Sequence, residues 1–365
     1  MNPSFILTGP NGIILANGVR AKFTKVSDAK DALCSGTSII TGALPFNTNS
    51  DAMLHEPDTY RAINYFPYKQ SKESPNILSW KLLPISSTYN DRLIDVIRQL
   101  RDPKNPLKKV VMAREIQLIT NFSWNINSVL SRLANVDPSS SIYAVNSYSK
   151  INTYNKKHLL VGASPELLVG RSDGTILCSP FAGSAPRSIN PLLDAANASA
   201  LINCKKNLYE HKLVVDMLSN KLIKLCDSIV VAEKPQLHCT KTLWHLTTPI
   251  IGRLRTKKIT AIDLALALHP TPAVCGVPNC YASELIKIIE GDRGLYAGTV
   301  GWWNNAGDGR WIVSIRCALI SLENNTVLIN SGCGIVSNSE LLVEFEENIT
   351  KFKTIIAGLG IILDM

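Results

Sequence analysis

The 365-residue chain lacks an uninterrupted apolar run of the roughly 18 residues that a membrane-crossing helix needs, which argues against a membrane protein. It has neither a G-x-G-x-x-G turn nor a P-loop, so the usual backbone cradles for nucleotide phosphates are missing. No two of its nine cysteines form a C-x-x-C pair, Cys275 and Cys280 being the nearest, and its six histidines are scattered. That leaves no zinc spacing, and an odd cysteine count fits a reducing compartment where most thiols are small core residues. No Pro/Gly/Ser-rich linker, charge block or low-complexity run marks a boundary, so residues 1–365 read as one domain, with 1–100 its less distinctive part. The opening FILTGPNGIILANG is interrupted by Gly9, Pro10 and Gly12, which suits strand-turn-strand rather than a signal peptide. A cytoplasmic protein is expected.

What is present is a substantial apolar fraction, 45%, against 18% charged residues, the composition of a globular chain with a core. The formal charge is +9. Its basic residues are mostly dispersed, and the short runs from Lys104 to Lys109, at Lys205-Lys206 and at Lys257-Lys258 are not interleaved with aromatics. That argues for a solvated surface that draws small anions, and against nucleic acid as a partner.

Strand signals recur in SSIYAVNSY, HLLVGAS, TILCSPFAG, GLYAGTVGWW, RWIVSIRCALISL and NTVLINSGCGIV, with turns expected at Asp173-Gly174 and Glu323-Asn324-Asn325. Apolar residues three and four apart predict helices in DRLIDVIRQLRD, NINSVLSRLANV, HKLVVDMLSNKLIKLCDSIV, ITAIDLALALH and YASELIKIIEG. Strands joined by short turns favour antiparallel pairing. The predicted class is α+β, large antiparallel β-sheets sandwiched together with helices packed on their outer faces.

Two acidic clusters carry chemical potential. In KKNLYEH, Asn207 and Glu210 stand three apart on one helix face; in VEFEENITK, Glu344, Glu347 and Lys351 stand three and four apart. Facing each other, these oxygens would suit Mg²⁺, which keeps waters that a carboxylate substrate can replace; apart, they are acidic helix faces in water. Gly183 and Ser184 in FAGSA, and Gly334 in GCGIV, can turn backbone N–H groups toward an anion or simply make tight turns. Arg316, expected within the strand WIVSIRCAL on one face with Ser314, needs an anionic partner if buried and none if exposed. Lys109, heading the apolar VVMAR, can end a strand or serve as a base. Glu166, wedged in GASPELL, would be pushed toward its acid form by burial. His245 and His269 follow apolar residues, where a satisfied core histidine is the ordinary outcome.

Together these segments form an ordered pattern. KVVMAR at 109–114, GASPELL at 162–168, SPFAGSAPR at 179–187, KKNLYEH at 205–211 and TLWHL at 242–246 come first. HPTPAVCG at 269–276, DRGLYAGTVGWW at 292–303, VSIRCA at 313–318 and SGCGIVSNSELLVEFEENITK at 331–351 complete the run. From Lys109 onward the chain resembles the chorismate-utilising enzymes, and most closely the isochorismate synthases of the siderophore type; TGALPFNTNSDAML at 41–54 resembles the family's N-terminal G-x-x-P-F segment. The resemblance implies Mg²⁺-dependent conversion of chorismate to isochorismate. In it, Lys109 matches the lysine that activates water for attack at C2, and Glu166 the glutamate that protonates the departing C4 hydroxyl. Glu210, Glu344 and Glu347 match the acidic Mg²⁺ shell. Arg316 and the backbone near Gly334 would hold the pyruvyl carboxylate, with Tyr296 and Lys351 nearby. Gly183 and Ser184 would face the ring carboxylate, and His245 and Ala273 match pocket-lining positions. A monomer is implied, with isochorismate-consuming enzymes as its functional partners.

The chain departs from the family pattern at three places: Asn207 stands where Asp is usual, Phe345 where Trp is usual, and Pro186 where other residues are common. Asn207 keeps an oxygen but loses a charge, so weaker metal binding is expected. Lys109 argues for water rather than ammonia as nucleophile, and thus against the anthranilate and aminodeoxychorismate synthases. A salicylate synthase, which goes on to eliminate pyruvate, keeps the lysine, and that alternative stays open here. So does the pathway served: siderophore, salicylate or menaquinone formation.

Overall fold

Alternating apolar residues build two large sheets, and the long periodic segments build helices against them. The computed structural model describes residues 2–70, 76–121, 124–149 and 156–364. Among the described residues the first sheet has ten strands; its centre is Lys109–Thr120, Thr326–Val336, Cys317–Ser321, Lys156–Ser164 and Ser141–Ser149, in that order. The second has nine, with Thr175–Ser179, Leu167–Ser172, Gly309–Val313, Thr299–Asn304 and Ile39–Leu44 adjacent in its middle. The pairings in both are antiparallel. This is the α+β arrangement of antiparallel sheets that the strand and turn pattern predicts. N-terminal strands belong to both sheets: Phe5–Gly9 pairs with Ser141–Ser149, and Ile39–Leu44 with Thr299–Asn304.

The side-chain period of two sorts each strand between two cores. Phe5, Leu7, Val145 and Leu160 of the first sheet meet Ile40, Val169, Val300 and Ile312 of the second. Ile6, Ala144, Leu159 and Val161 point the other way, onto Leu130 and Leu133 of the helix Ile126–Val136 and onto Phe352, Ile355 and Leu359 of the helix Leu341–Leu359. Each fully buried Leu, Ile or Phe contributes roughly 1.5–3 kcal/mol of apolar transfer, so both cores are substantial. The turn Asp173-Gly174, both residues at positive φ, closes a two-residue hairpin as expected. Among the described residues, no helix is long and apolar enough to cross a membrane.

A third sheet, of three strands, positions the site. Its edge strand Phe181–Pro186 pairs with Leu243–Thr247 and packs against the helix Lys205–Leu222 and the helix Leu341–Leu359. Both helices also pack on Thr326–Val336, so the two acidic segments of the sequence converge there.

The structure corrects the sequence reading locally. The helix predicted through CDSIV stops at Leu222, and Cys226–Val231 forms a strand pairing with Ile250–Leu254, where β-branched residues find a sheet edge. FAGSA and GCGIV are strand rather than free turns; a bulge between Phe181 and Ser184, with Gly183 at φ +80°, supplies the local bend. Arg316 lies between two strands, not within one.

Candidate active site

The two large sheets exchange chain at adjacent points. Lys156–Ser164 ends in the first sheet and Leu167–Ser172 begins in the second; Gly309–Val313 ends in the second and Cys317–Ser321 begins in the first. The two links are stitched together: Val313 N donates to Glu166 O at 3.1 Å, and Ala163 N to Arg316 O at 3.2 Å. Glu166 and Arg316 are the residues displayed at these crossings. Arg316 takes the left-handed conformation, φ 52°, which costs a non-glycine residue energy and marks a constrained position. It is 9% exposed and, among the described residues, has no ion-pair partner. Burial lowers its pKa, but a guanidinium keeps its charge, so the crossing presents a cation in need of an anion.

Glu166 is 2% exposed. Burial raises its pKa from 4.5 to about 8, against smaller opposing effects from the Phe181 N–H, Lys109, Arg316 and Lys351. It is therefore largely the neutral acid at neutral pH.

Lys109 begins the strand Lys109–Thr120, held between Val336 on one side and Val277 on the other. Its side chain is fully buried, with Nζ 2.9 Å from Glu210 Oε1. The contact balances charge, but no aligned hydrogen bond forms at Nζ, which leaves its N–H directions available. Gly334 makes this pair possible: a Cβ there would stand 2.0 Å from Glu210 Oε1 and 2.9 Å from Lys109 Cε. Gly332, on the same face, similarly admits Tyr296, whose Oη would be 2.8 Å from an added Cβ.

The C-terminal helix supplies the second acidic pair. Glu344 is fully buried and ion-paired with Lys206 at 2.6 Å; Glu347 is paired with Lys351 at 2.5 Å. Lys351 Nζ also donates to Gly332 O at 3.0 Å. Burial and the neighbouring Glu347 push Glu344 up, whereas Lys351 and Lys206 overcome burial to hold Glu347 well below the usual carboxylate range. Lys206 faces all three glutamates, 344, 210 and 347. Asn207 lies one turn before Glu210, its Cβ 3.1 Å from where a Gly183 Cβ would be. His245, paired across the strands with Ser184, is held neutral by burial, with Arg316 and Lys351 adding to the effect; its Nε2 has no hydrogen bond and its ring meets Phe181 edge-on at 5.5 Å.

Most of these groups border one cleft. The sequence profile of the chorismate binding enzymes matches residues 35–360. The chain belongs to the chorismate-binding enzyme family. A Mycobacterium tuberculosis protein provisionally named isochorismate synthase MenF is 46% identical over 360 residues, spanning 98% of this chain and 96% of its own length. The Bacillus subtilis isochorismate synthase DhbC is 33% identical, spanning 98% and 94%. A crystal structure of Bacillus anthracis DhbC, provisionally described as a 2,3-dihydroxybenzoate-specific isochorismate synthase, superposes with a TM-score of 0.90 at 32% identity, covering 99% of this chain and 96% of that one.

In this chorismate-binding enzyme the cleft is lined by Glu166, Gly183, Ser184, Glu210, His245, Ala273, Tyr296, Arg316, Gly334, Glu347 and Lys351, all singled out from sequence. Three other candidates stand behind that wall: Lys109 under Glu210 and Gly334, Glu344 against Lys206, and Asn207 against Gly183. Sequence reading missed Val111, Phe181, Ile315, Asn330 and Ser331 in the lining, and Lys206 beside the acids. Strand alternation held a signal for two of these: Val111 is two residues from Lys109, and Asn330 continues the face of Gly332 and Gly334. Lys206 sits one residue before Asn207, where Lys205-Lys206 reads as a solvated basic pair.

Proposed function

We propose that the chain is an isochorismate synthase, adding water at C2 of chorismate and expelling the C4 hydroxyl. The observation that carries this reading is the contrast between Glu166, which lines the cleft, and Lys109, which stands behind Glu210 in its wall. Glu166 is a carboxyl kept protonated by burial, and Lys109 is a buried amine in contact with a carboxylate, Glu210. An addition with allylic loss of hydroxide needs a proton removed from water and another delivered to the leaving oxygen. The Lys109–Glu210 pair takes the first; Glu166 delivers the second and is left as a carboxylate. Arg316 and Lys351 bring the positive charge that a dianionic substrate requires, and of the two the Arg316 guanidinium has no carboxylate in contact among the described residues. Neutral His245 offers Nε2 for hydrogen bonding without adding charge.

The donor set fits a hard divalent cation: the carboxylates Glu210, Glu344 and Glu347 all face Lys206, Lys109 and Lys351 touch Glu210 and Glu347, and Glu344 Oε2 is buried without an aligned hydrogen bond. These three would hold Mg²⁺, with Asn207 nearest in sequence to Glu210. When bound, Mg²⁺ would neutralise and orient the substrate's ring carboxylate. The protein's own residues keep the site dry, hold the substrate's other carboxylate and move both protons.

The test is to incubate the purified protein with chorismate and Mg²⁺, with and without EDTA, alongside Lys109→Ala, and to separate the products chromatographically. Isochorismate that depends on both metal and Lys109 is the expected result. Salicylate with pyruvate would move the chain to the salicylate synthases, and no conversion would overturn the catalytic reading.

A further inference from the structure

The strand Lys109–Thr120 has an interrupted edge. On the side away from Thr326–Val336, Gly276–Val277 pairs with Val110 and Lys109, and Ile77–Leu83 pairs from Glu115 onward. Between them, residues 111–114 have no strand partner on that side among the described residues. Two side chains fill the gap. Glu290, the last residue of the helix Asn279–Glu290, accepts from Ala113 N at 2.8 Å, and Arg293 Nη2 donates to Val111 O at 2.7 Å. We propose that the Glu290–Arg293 pair is a positioning device for the reaction, fixing the strand segment that carries Lys109 against the wall of the cleft.

The pair is built for geometry. Both side chains are almost wholly buried. Arg293 Nε donates to Glu290 Oε2 at 2.7 Å and Nη2 to Oε1 at 2.8 Å, a two-point contact that fixes the plane of each group. Arg293 Nη1 donates to Val274 O at 2.8 Å. The guanidinium lies 4.8 Å from the Phe46 ring centre and 5.8 Å from that of Tyr296, and Tyr296 N donates to Arg293 O at 3.1 Å. Val111, Val274 and Tyr296 all line the cleft, so one guanidinium ties three parts of its wall together. Val111 N in turn donates to Cys275 O and Lys108 N to Val277 O, both at 2.7 Å, which carries the restraint along the chain to Lys109.

Burial works against the Arg293 charge, and Glu290 more than offsets it. Stability alone does not call for such a pair, since apolar residues of similar volume often serve a buried position as well. What apolar residues cannot do is satisfy a peptide N–H and two carbonyls where a strand is interrupted, groups that are costly to leave unpaired. Neither Glu290 nor Arg293 lines the cleft, so both act through the strand and not on the substrate. The consequence for rate rests on the function proposed above. Lys109 is fully buried and moves only with its strand. When the pair is weakened, Lys109 and Glu210 shift relative to a substrate held by Arg316, and a displacement of about 1 Å costs on the order of 10² in rate. The binding groups Ser184, Arg316 and Lys351 stand on other elements, so the loss falls on kcat more than on KM.

Full-length wild type, Glu290→Ala, Glu290→Gln and Arg293→Lys are compared by hydrogen–deuterium exchange of the peptide covering residues 109–116. Steady-state kinetics with chorismate and Mg²⁺ follow on the same samples, with kcat counted per folded molecule. Glu290→Ala should exchange this segment faster by about 10-fold or more and lose kcat by roughly 10- to 100-fold, with KM changed by less. Glu290→Gln keeps one acceptor for Ala113 N, and Arg293→Lys reaches one carbonyl instead of two. Both should fall between Glu290→Ala and wild type on each measure. A kcat that tracks exchange across the series is the expected result, because a merely structural pair would lower the melting temperature and leave kcat per folded molecule unchanged. Faster exchange with wild-type kcat overturns the proposal, and so does a loss confined to KM, which would assign the pair to substrate binding. If wild type itself forms no isochorismate, the proposed function falls, whereas the exchange series still shows whether the pair holds the strand. The Gln and Lys variants keep the test decisive should Glu290→Ala fold poorly.

Discussion

Glu166 gives the most exposed prediction, because one carboxyl should link pH to both stability and rate. Raising its pKa from 4.5 to about 8 favours the protonated folded form by about 5 kcal/mol, at ~1.36 kcal/mol per pH unit. The sign follows from proton counting. Between those two values the folded state binds the proton and the unfolded chain does not, so unfolding free energy falls as pH rises. The contribution is complete below about 4.5 and is lost as pH climbs through about 8. Glu166→Gln has an amide at every pH and should lack this slope. Urea unfolding at a series of pH values from 5 to 9, without metal or substrate, isolates it as the difference between wild type and variant. Wild type should lose several kcal/mol relative to Glu166→Gln over the series, with most of that loss below pH 8. Parallel curves would refute the reasoning, since Glu166 would then titrate as an ordinary carboxylate. In the assay, wild-type turnover should decline above about pH 8 as the acid loses its proton, and Glu166→Gln should be slower by roughly 10²–10⁴.

Lys109→Ala should cost a similar factor in turnover, and because it strands Glu210 in a buried position it should also destabilise the fold by roughly 3–5 kcal/mol; product chromatography and thermal unfolding read the two effects. Gly334→Ala puts a methyl 2.0 Å from Glu210 Oε1, so the carboxylate must move, and a turnover loss on the order of 10² is expected with only modest destabilisation. Wild-type kinetics in Gly334→Ala would mean that the Lys109–Glu210 pair is not part of the chemistry. Arg316→Lys keeps the charge but loses the guanidinium fork, and KM for chorismate should rise by about 10-fold or more with a smaller change in kcat. A change confined to kcat would assign Arg316 to the chemical step instead.

Much of this site was legible because its residues stand in motifs whose order a folded chain must respect. The sheets were legible from period-two alternation, and most helices from periods of three and four. What escaped was set by distant partners. Alternation through WIVSIRCAL predicts one strand, but the chain leaves one sheet at Val313 and enters the other at Cys317. Nothing local to Ser314, Ile315 and Arg316 announces that, since the neighbour that dictates it is the link through Glu166, far away in sequence. The helix overrun at CDSIV has the same origin: Ile229, Val230 and Val231 are strand-formers that await Ile250–Leu254 as a partner. Gly334 could be read as a turn glycine, but its actual role is to leave room for Glu210, which register with Val111 determines.

The acid assignments were the least legible part, because spacing fixes where a carboxylate is and not what surrounds it. Glu166 and Glu347 border the same cleft and are both largely removed from water. Glu347 has Lys351 at 2.5 Å and Lys206 nearby, and these offset the cost of burying its charge. Glu166 has no cation in contact among the described residues; Lys109, Arg316 and Lys351 act on it only across the cleft, and burial prevails. One carboxyl is therefore held as an anion and the other as an acid, which is how a pair of like residues acquires different roles. In sequence both are glutamates beside leucine or asparagine. The division of labour comes from which lysine reaches which oxygen, and that depends on the C-terminal helix packing over Thr326–Val336 while Glu166 sits at the crossing between the sheets.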